Sequence, residues 1–339
     1  MKQKRILIVR PDRIGDVVLS TPLPREIKKQ FPDSFIAVLV KKYTEAIYQH
    51  NPYVNKILLV DDFPVESKNY FWSKVKEIRS YKFTHALMLL PDEKINYILF
   101  FAGIRKRIGV GYKFFQFITG AKGISRQKYI PLRHEADYSM DLARAIGIET
   151  NNFDVEIHLN KDEQVRVREI RNNLLGGKRY LVGVHSTSGN SAPNWKPGVY
   201  ESLISVLDNE EEIKVVNTDY HVPNEIKLRQ NIKLINEGNE LRDTIINIAA
   251  LDLLVSASTG PMHIAAALKV KTVSLFCPLT ACSPKLWKPV GNKQKVILPP
   301  ENYCSNFCPG DPKECSFGEE KGISVKTVFK NVSEMLDIK

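Results

Sequence analysis

Cysteine is scarce in this chain, and so are acids, glycine fingerprints and long apolar runs. There are five cysteines in 339 residues. Three of them, Cys304, Cys308 and Cys315, cluster in "CSNFCPGDPKEC". A structural zinc site wants four Cys or His ligands, so this cluster reads as reduced thiols in an irregular loop, with a metal as the lesser alternative. No run approaches the roughly 20 apolar residues of a membrane helix. The opening "MKQKRILIVRPD" is basic and then apolar only from Ile6 to Val9, too short for the apolar part of a signal peptide. These absences predict a cytoplasmic protein whose membrane contact, if any, is peripheral. The three-glycine dinucleotide fingerprint is missing, which sets aside a nicotinamide-dependent oxidoreductase. There is no short repeat and no low-complexity tract.

Lys and Arg number 49 against 38 acids, a formal net charge of +11. A surplus of that sign favours a polyanionic partner such as nucleic acid, anionic lipid or a phosphorylated glycan. Plain solubility charge is the competing explanation. Hydrophobic residues make up 43% of the chain, enough for real cores, and the length favours two domains.

The first half alternates short apolar runs with helical patterns. Strands are expected at Ile6–Val9, Phe35–Lys41, Asn55–Asp61, His85–Pro91 and Lys106–Val110. Helices are expected at Thr21–Phe31, near "TEAIYQH", through "FWSKVKEIRSY" and in "EKINYILFFAGI". A helix over Glu135–Ile148 ends at Gly147. The second half repeats the alternation from Arg179–Ser186 to "KTVSLFCP" and closes with an amphipathic helix in "SVKTVFKNVSEMLDI". This βαβα order predicts an α/β fold of two Rossmann-like, doubly wound domains. The boundaries are set at 1–160 and 161–323, with a closing helix over 324–339.

Ligands of such sheets bind beyond the carboxyl ends of strands. Three turns there are rich in small or polar residues. The first, "RPDRIGD", puts Gly15 at a tight bend and Asp16 near a helix start. Asp16 is either a helix cap or a carboxylate poised as a general base. The second, "HSTSGNSAPNWKP", offers Ser186, Thr187, Ser188 and Gly189 as N–H and hydroxyl donors to phosphate, or is a plain polar loop. The third, "SASTGPMHIAAAL", has Thr259 at a helix N-cap or at the position before it, with Gly260 allowing close backbone approach and Pro261 in the first turn, suited to a diphosphate. His263 there is a structural histidine or a ligand contact. Glu225, early in a predicted helix, either meets ribose hydroxyls or merely complements the helix dipole.

With these turns in order, the sequence resembles glycosyltransferase family nine, the heptosyltransferases of lipopolysaccharide assembly. The likeness runs over nearly the whole chain: "ILIVRPDRIGDVVLSTPLPREIKKQFP", "AGIRKRIGV", "HEADYSMDLARAIGI", "GVHSTSGNSAPNWKP" and "LRDTIINIAALDLLVSASTGPMHIAAALKVKTVSLFCP". It implies the GT-B fold, with the two domains facing a cleft. It also implies inverting transfer from a nucleotide-diphosphate sugar, ADP-heptose in this family, to a lipid-linked anionic glycan at the inner membrane. The family's base falls on Asp16. Arg10 and Arg13 become acceptor contacts. The donor lies against Ser186–Gly189, Lys196, Glu225 and the run Ser258, Thr259, Gly260, Pro261, Met262 and His263. No cofactor, no metal and no nucleic acid are implied, and the chain has no Asp-x-Asp beside a predicted strand end. Two positions depart from the family pattern. Ala257-Ser258 stand where Asn-Asp is usual, and Pro193-Asn194 precede Trp195 where a cation is usual, with Lys196 following it. Both touch donor recognition. They keep open another donor sugar, or a non-catalytic nucleotide-sugar or glycan binder.

Overall fold

The apolar runs become strands buried on both faces. The computed structural model describes residues 3–60, 68–189, 192–229, 231–318 and 321–338. The chain divides into two units, Met1–His158 and Leu159–Lys339. In the first unit the strands are β1 (Arg5–Val9), β2 (Phe35–Val40), β3 (Lys56–Leu59), β4 (His85–Met88), β5 (Lys106–Val110) and β6 (Lys122–Ile124). All pair in parallel, in the order β3-β2-β1-β4-β5-β6. Leu7 of β1 sits between Ala37 and Ala86. A parallel sheet needs helices on both faces, which explains why β1 reads as a continuous aliphatic run rather than an alternation. Its core gathers Leu7, Val9, Leu39, Val75, Ile95 and Leu99. Of the predicted strand Asn55–Asp61, Asp61 lies outside the described residues.

The second unit has β7 (Tyr180–His185), β8 (Ile213–Asn217), β9 (Lys233–Leu234), β10 (Leu253–Ala257), β11 (Lys271–Leu275) and β12 (Gln294–Ile297). They too are all parallel, in the order β12-β11-β10-β7-β8-β9. Counted from its own first strand, this is the same order as in the first unit. In each, the first strand lies beside the fourth. The chain runs outward one way from the first and the other way from the fourth, so a crevice opens beyond their carboxyl ends.

Several elements differ from the sequence expectation. The predicted helix Thr21–Phe31 is preceded by a separate short one, Ile14–Val18, and itself spans Pro22–Gln30. Pro22 has no N–H to continue the first helix. Ser20 and Thr21 hydroxyls instead donate to the carbonyls of Val17 and Val18 at 2.7 and 2.8 Å, closing the first helix. The helix expected near "TEAIYQH" is a 3-10 helix that begins two residues earlier, Lys42–Ile47. Helix Lys161–Leu175 is not expected from the sequence, because it buries no residue and so shows no apolar stripe. Strand β12 and helices Phe114–Ile118 and Glu301–Phe307 were also missed.

The segment that ends the first unit is held by one buried cation. Arg25, in helix Pro22–Gln30, donates to Asn152 Oδ1, to the Asp154 carbonyl and to Glu156, at 2.9–3.1 Å. The closing helix Val325–Leu336 packs within the second unit, against helix Pro197–Asp208 and strands β11 and β12.

Central strand β7 requires glycine at 183. A Cβ there would meet Leu251 Cδ1 at 2.5 Å and Thr218 Cγ2 at 3.0 Å. Gly183→Ala should therefore overpack the sheet and cost roughly 1–3 kcal/mol, read as a lower urea midpoint with an unchanged m value. An unchanged midpoint would mean that the helix layer gives way freely.

Candidate functional site

The reversal of strand order puts one polar turn pair at the carboxyl edge of each sheet. In the first unit the turn follows β1. Arg10 is 3% exposed and carries the turn. Its Nη1 donates to the Leu89 carbonyl just past β4, at 3.0 Å, so it spans the two strands of the reversal. Its Nη2 meets Asp16 Oδ1 at 2.5 Å and Glu135 Oε1 at 3.4 Å. The buried Glu135 also takes Arg126 Nη1 at 2.7 Å. Two guanidiniums thus share one buried carboxylate, which keeps each charge compensated.

Asp16 is not a helix cap. The N-cap of Ile14–Val18 is Arg13, and Asp16 lies inside the first turn with its carboxylate turned to Arg10. Its side chain is 21% exposed, so one edge remains open to solvent. Burial pushes its carboxyl above the ordinary aspartate value. The Arg10 guanidinium pulls it down, while Asp12 and Glu135 add to the upward push. Burial prevails, and the group is a stronger base than a free aspartate. Arg13 is exposed. Arg10 is not: its two Nη atoms meet Leu89, Asp16 and Glu135, so in this structure it positions Asp16.

In the second unit the turns after β7 and β10 lie side by side, since His185 pairs with Ser256. The first of these is built around Asp219, which the sequence reading missed. Asp219 sits just beyond β8 with its side chain 0% exposed. It accepts from Ser186 N at 2.9 Å and Oγ at 2.6 Å, and from Thr187 N at 2.9 Å and Oγ1 at 2.7 Å. Asn217 Nδ2 donates to it at 2.6 Å, and His185 Nδ1 lies 3.3 Å away. Burial alone would raise its carboxyl. His185 and the donors from Ser186, Asn217 and Thr187 outweigh that and hold it below the usual value.

Ser186 and Thr187 were expected to offer these same N–H and hydroxyl groups to phosphate. In this structure they turn inward to Asp219. Gly189 is exposed, and a Cβ there meets no atom within 4 Å, so packing does not demand its small size. Ser188 is half-buried between them. Asn190 and Ser191 of the same predicted turn lie outside the described residues. Asn194 donates to the Ser186 carbonyl at 2.6 Å and accepts from Tyr200 OH at 2.8 Å. Trp195 is buried and donates to the Ile323 carbonyl at 3.1 Å.

The turn after β10 has the predicted form. Thr259 is the N-cap of helix Gly260–Ala267, with Pro261 in the first turn. Thr259 does not cap with its side chain, and its buried Oγ1 has no hydrogen-bond partner among the described residues. Open first-turn N–H groups and a hydroxyl without a protein partner suit an anion. Ser258, Gly260 and Pro261 are half-buried at this edge, whereas Met262 and His263 point into the core. Lys196 and Glu225 fall elsewhere. They share a groove of about 740 Å³ with Ser202, Ser324 and Lys326, and neither Ser186–Gly189 nor Ser258–His263 lines it. Among the described residues, no group of three or more His, Cys, Asp or Glu is arranged to hold a metal.

The profile of the family described as Glycosyltransferase family 9 (heptosyltransferase) matches residues 71–315. A Haemophilus influenzae protein that carries a glycosyltransferase name, without a donor or an acceptor, is 26% identical over 97% of this chain and 96% of its own length. Lipopolysaccharide heptosyltransferase 2 of Salmonella typhimurium is 24% identical over 86% of this chain and 87% of its own. Among solved structures, a glycosyl transferase family 9 protein of Veillonella parvula superposes with a TM-score of 0.80 at 18% identity, covering 99% and 98% of the two chains. The Escherichia coli ADP-heptose heptosyltransferase II superposes at 0.75 with 20% identity, covering 98% of each. The fold is thus the two-unit GT-B type.

Asp219 gives this site a structural test. Asp219→Asn keeps the shape but turns one acceptor into a donor facing donors, and should cost about 1.5–3 kcal/mol. The native carboxyl is depressed. Its stabilisation is therefore full above the unfolded value of about 3.9 and is lost as pH falls through the lower folded value. The gap in urea midpoint between the two proteins should be wide at neutral pH and narrow below about pH 3.9. A gap that stays constant with pH would remove the carboxylate charge from the argument.

Proposed function

The chain belongs to glycosyltransferase family 9 and is a glycosyltransferase, and from that premise we propose that it performs an inverting transfer from ADP-heptose to a lipid-linked, negatively charged inner-core glycan. The observation that carries the reading is Asp16: a basic, partly open carboxylate at the strand reversal, fixed by Arg10. In the reaction it accepts the proton of the acceptor hydroxyl. That oxygen attacks the anomeric carbon as the bond to the diphosphate breaks, through an oxocarbenium-like state.

The leaving diphosphate goes to the Gly260 helix start. First-turn N–H groups and the Thr259 hydroxyl supply the donors, and the helix dipole favours the charge that develops. Ser188, Gly189 and Ser258 border that position in the proposal, and Arg13 is the exposed cation for acceptor phosphate. Lys196 and Glu225 are assigned to the outer end of the donor, through their shared groove. Among the described residues, no helix is long and apolar enough to cross a membrane. In the proposal the lipid-linked acceptor is met at the membrane surface, on the cytoplasmic side. Ser258 favours a second reading, a different donor sugar, because a hydroxyl offers one neutral contact where the family's usual acid offers charge-assisted ones.

A thermal-shift screen against ADP-, GDP-, UDP- and dTDP-sugars decides between these readings. The true donor at roughly 100 times its dissociation constant should add about 2.7 kcal/mol of stability. Stabilisation by ADP-heptose is the expected outcome, and a preference for another sugar would transfer the assignment to the second reading.

Asp16→Asn should keep donor affinity and lower turnover roughly 10²- to 10⁴-fold. Because the carboxyl is raised and must be ionised to act, kcat/KM of the native enzyme should fall with decreasing pH along a limb lying above the ordinary value of about 3.9. Near-normal turnover in a folded variant, or no such limb, would exclude Asp16 as the base.

A further inference from the structure

Two cavities adjoin at the opposite, amino-terminal edge of the first sheet. One, of about 620 Å³, is lined by Lys4, Arg79, Lys82, Arg105 and Lys106. The other, of about 430 Å³, shares Lys4, Arg105 and Lys106 and adds Arg107 and Lys122. No carboxylate is among the residues that line them. The crowding of charge registers on His85, which both cavities share. Burial first, then Lys106 and Lys4, push its imidazole down to about 4.

These cavities run into an apolar surface. Helices Lys68–Ser80, Glu93–Phe101 and Phe114–Ile118 lie side by side on the sheet. They leave Trp72, Phe100, Phe101, Phe114, Phe117 and Ile118 exposed, with Phe117 82% accessible. Three of the rings form one cluster. Trp72 and Phe101 stand 5.3 Å apart, as do Phe100 and Phe101. Cations tie this row to the basic edge. The Arg107 guanidinium lies 5.2 Å over the Phe100 ring, and Arg79 donates to the Phe101 carbonyl at 2.5 Å. Arg107 also bonds the Thr119 carbonyl at the end of the Phe114–Ile118 helix. Arg107 is itself buried and braces Phe100 and the Phe114–Ile118 helix from beneath, while the exposed Arg79, which lines the first cavity, joins the Trp72–Phe101 cluster to the basic edge.

A contiguous exposed apolar patch marks an interaction surface. An anionic bilayer satisfies both of its halves at once. Aromatic rings settle at the boundary of headgroups and acyl chains, and Lys and Arg meet headgroup phosphates. A nucleic-acid duplex would use the cations and leave Trp72, Phe117 and Ile118 in water. We propose that this face of the first unit docks on an anionic phospholipid bilayer. The proposal extends the reading of a lipid-linked acceptor, but its test needs no turnover.

The full-length protein is sedimented with vesicles of phosphatidylcholine containing about 30% phosphatidylglycerol, and with pure phosphatidylcholine vesicles, at about 0.1 M salt. Binding should favour the anionic vesicles at least tenfold or so. A cation at the surface is worth roughly a fivefold change in affinity, so Arg105→Ala with Lys106→Ala should weaken binding about 30-fold. Trp72→Ser with Phe117→Ser should weaken it as well, and should do so at high salt too. All four positions are exposed, so the variants should melt with the parent. No binding, equal binding to both vesicles, or variants that bind like the parent would overturn the proposal. So would RNA that displaces the protein from anionic vesicles. Transfer to a lipid-free acceptor fragment should be the same in parent and variants. Failure of that reaction in the parent speaks against the proposed activity and leaves the vesicle result intact.

Discussion

The reversal of strand order between β1 and β4, and again between β7 and β10, is the constraint on which the rest of the molecule depends. It is a property of chain path, not of any side chain. Once the first and fourth strands are neighbours, the segments leaving them diverge to opposite faces and cannot fill the space above the sheet edge. Polar groups placed there have no backbone partner from a neighbouring turn and must find side-chain partners or a ligand. Arg10 bridging to Leu89 is one answer, and the inward donors of Ser186 and Thr187 are another. The unpartnered Thr259 hydroxyl is the place where neither answer was used.

Two aspartates near these edges, one buried and one partly open, show how one residue type is set to opposite ends. Asp219 is enclosed by donors, and their hydrogen bonds favour its ionised form beyond what burial takes away. Asp16 has a single short contact, to Arg10, and that guanidinium is shared with Glu135. Burial is then the larger effect, and the proton is held more tightly. The first arrangement fixes a loop and gives up reactivity. The second leaves a base with an open edge. Glu135 matters to the difference, because it draws part of the Arg10 charge away from Asp16 and is itself neutralised by Arg126.

The architecture was legible wherever burial had written a pattern into the sequence. Strands β1, β2, β7 and β10 stand out as apolar runs because helices cover both sheet faces. The helix Lys161–Leu175 buries nothing and left no stripe, yet its start was encoded. Asn160 and Glu163 form a reciprocal capping box, each side chain accepting the other's backbone N–H at 2.9 Å. At the site, Asp16 and the Thr259-Gly260 turn could be named from their places after strands. Asp219 could not. Its partners Ser186 and Thr187 lie more than thirty positions upstream, and only the parallel pairing of β7 with β8 brings them together. Glu135 was read only as part of an apolar-periodic helix, since its link to Arg10 spans 125 positions.

The anchoring of the first unit's last residues by Arg25 has a consequence for synthesis. Every strand of β1–β6 and the segment that closes them lie within residues 1–158. When the chain up to residue 158 has emerged from the ribosome, all partners of the first sheet are present, and Arg25 can already grip Asn152, Asp154 and Glu156. At about 5–20 residues per second, making the second unit, Leu159–Lys339, then takes on the order of ten seconds more. Small domains with mixed local and distant pairing fold in milliseconds to seconds. The first unit can therefore be complete while the second is still being made, which keeps its six parallel strands from pairing with the six that follow.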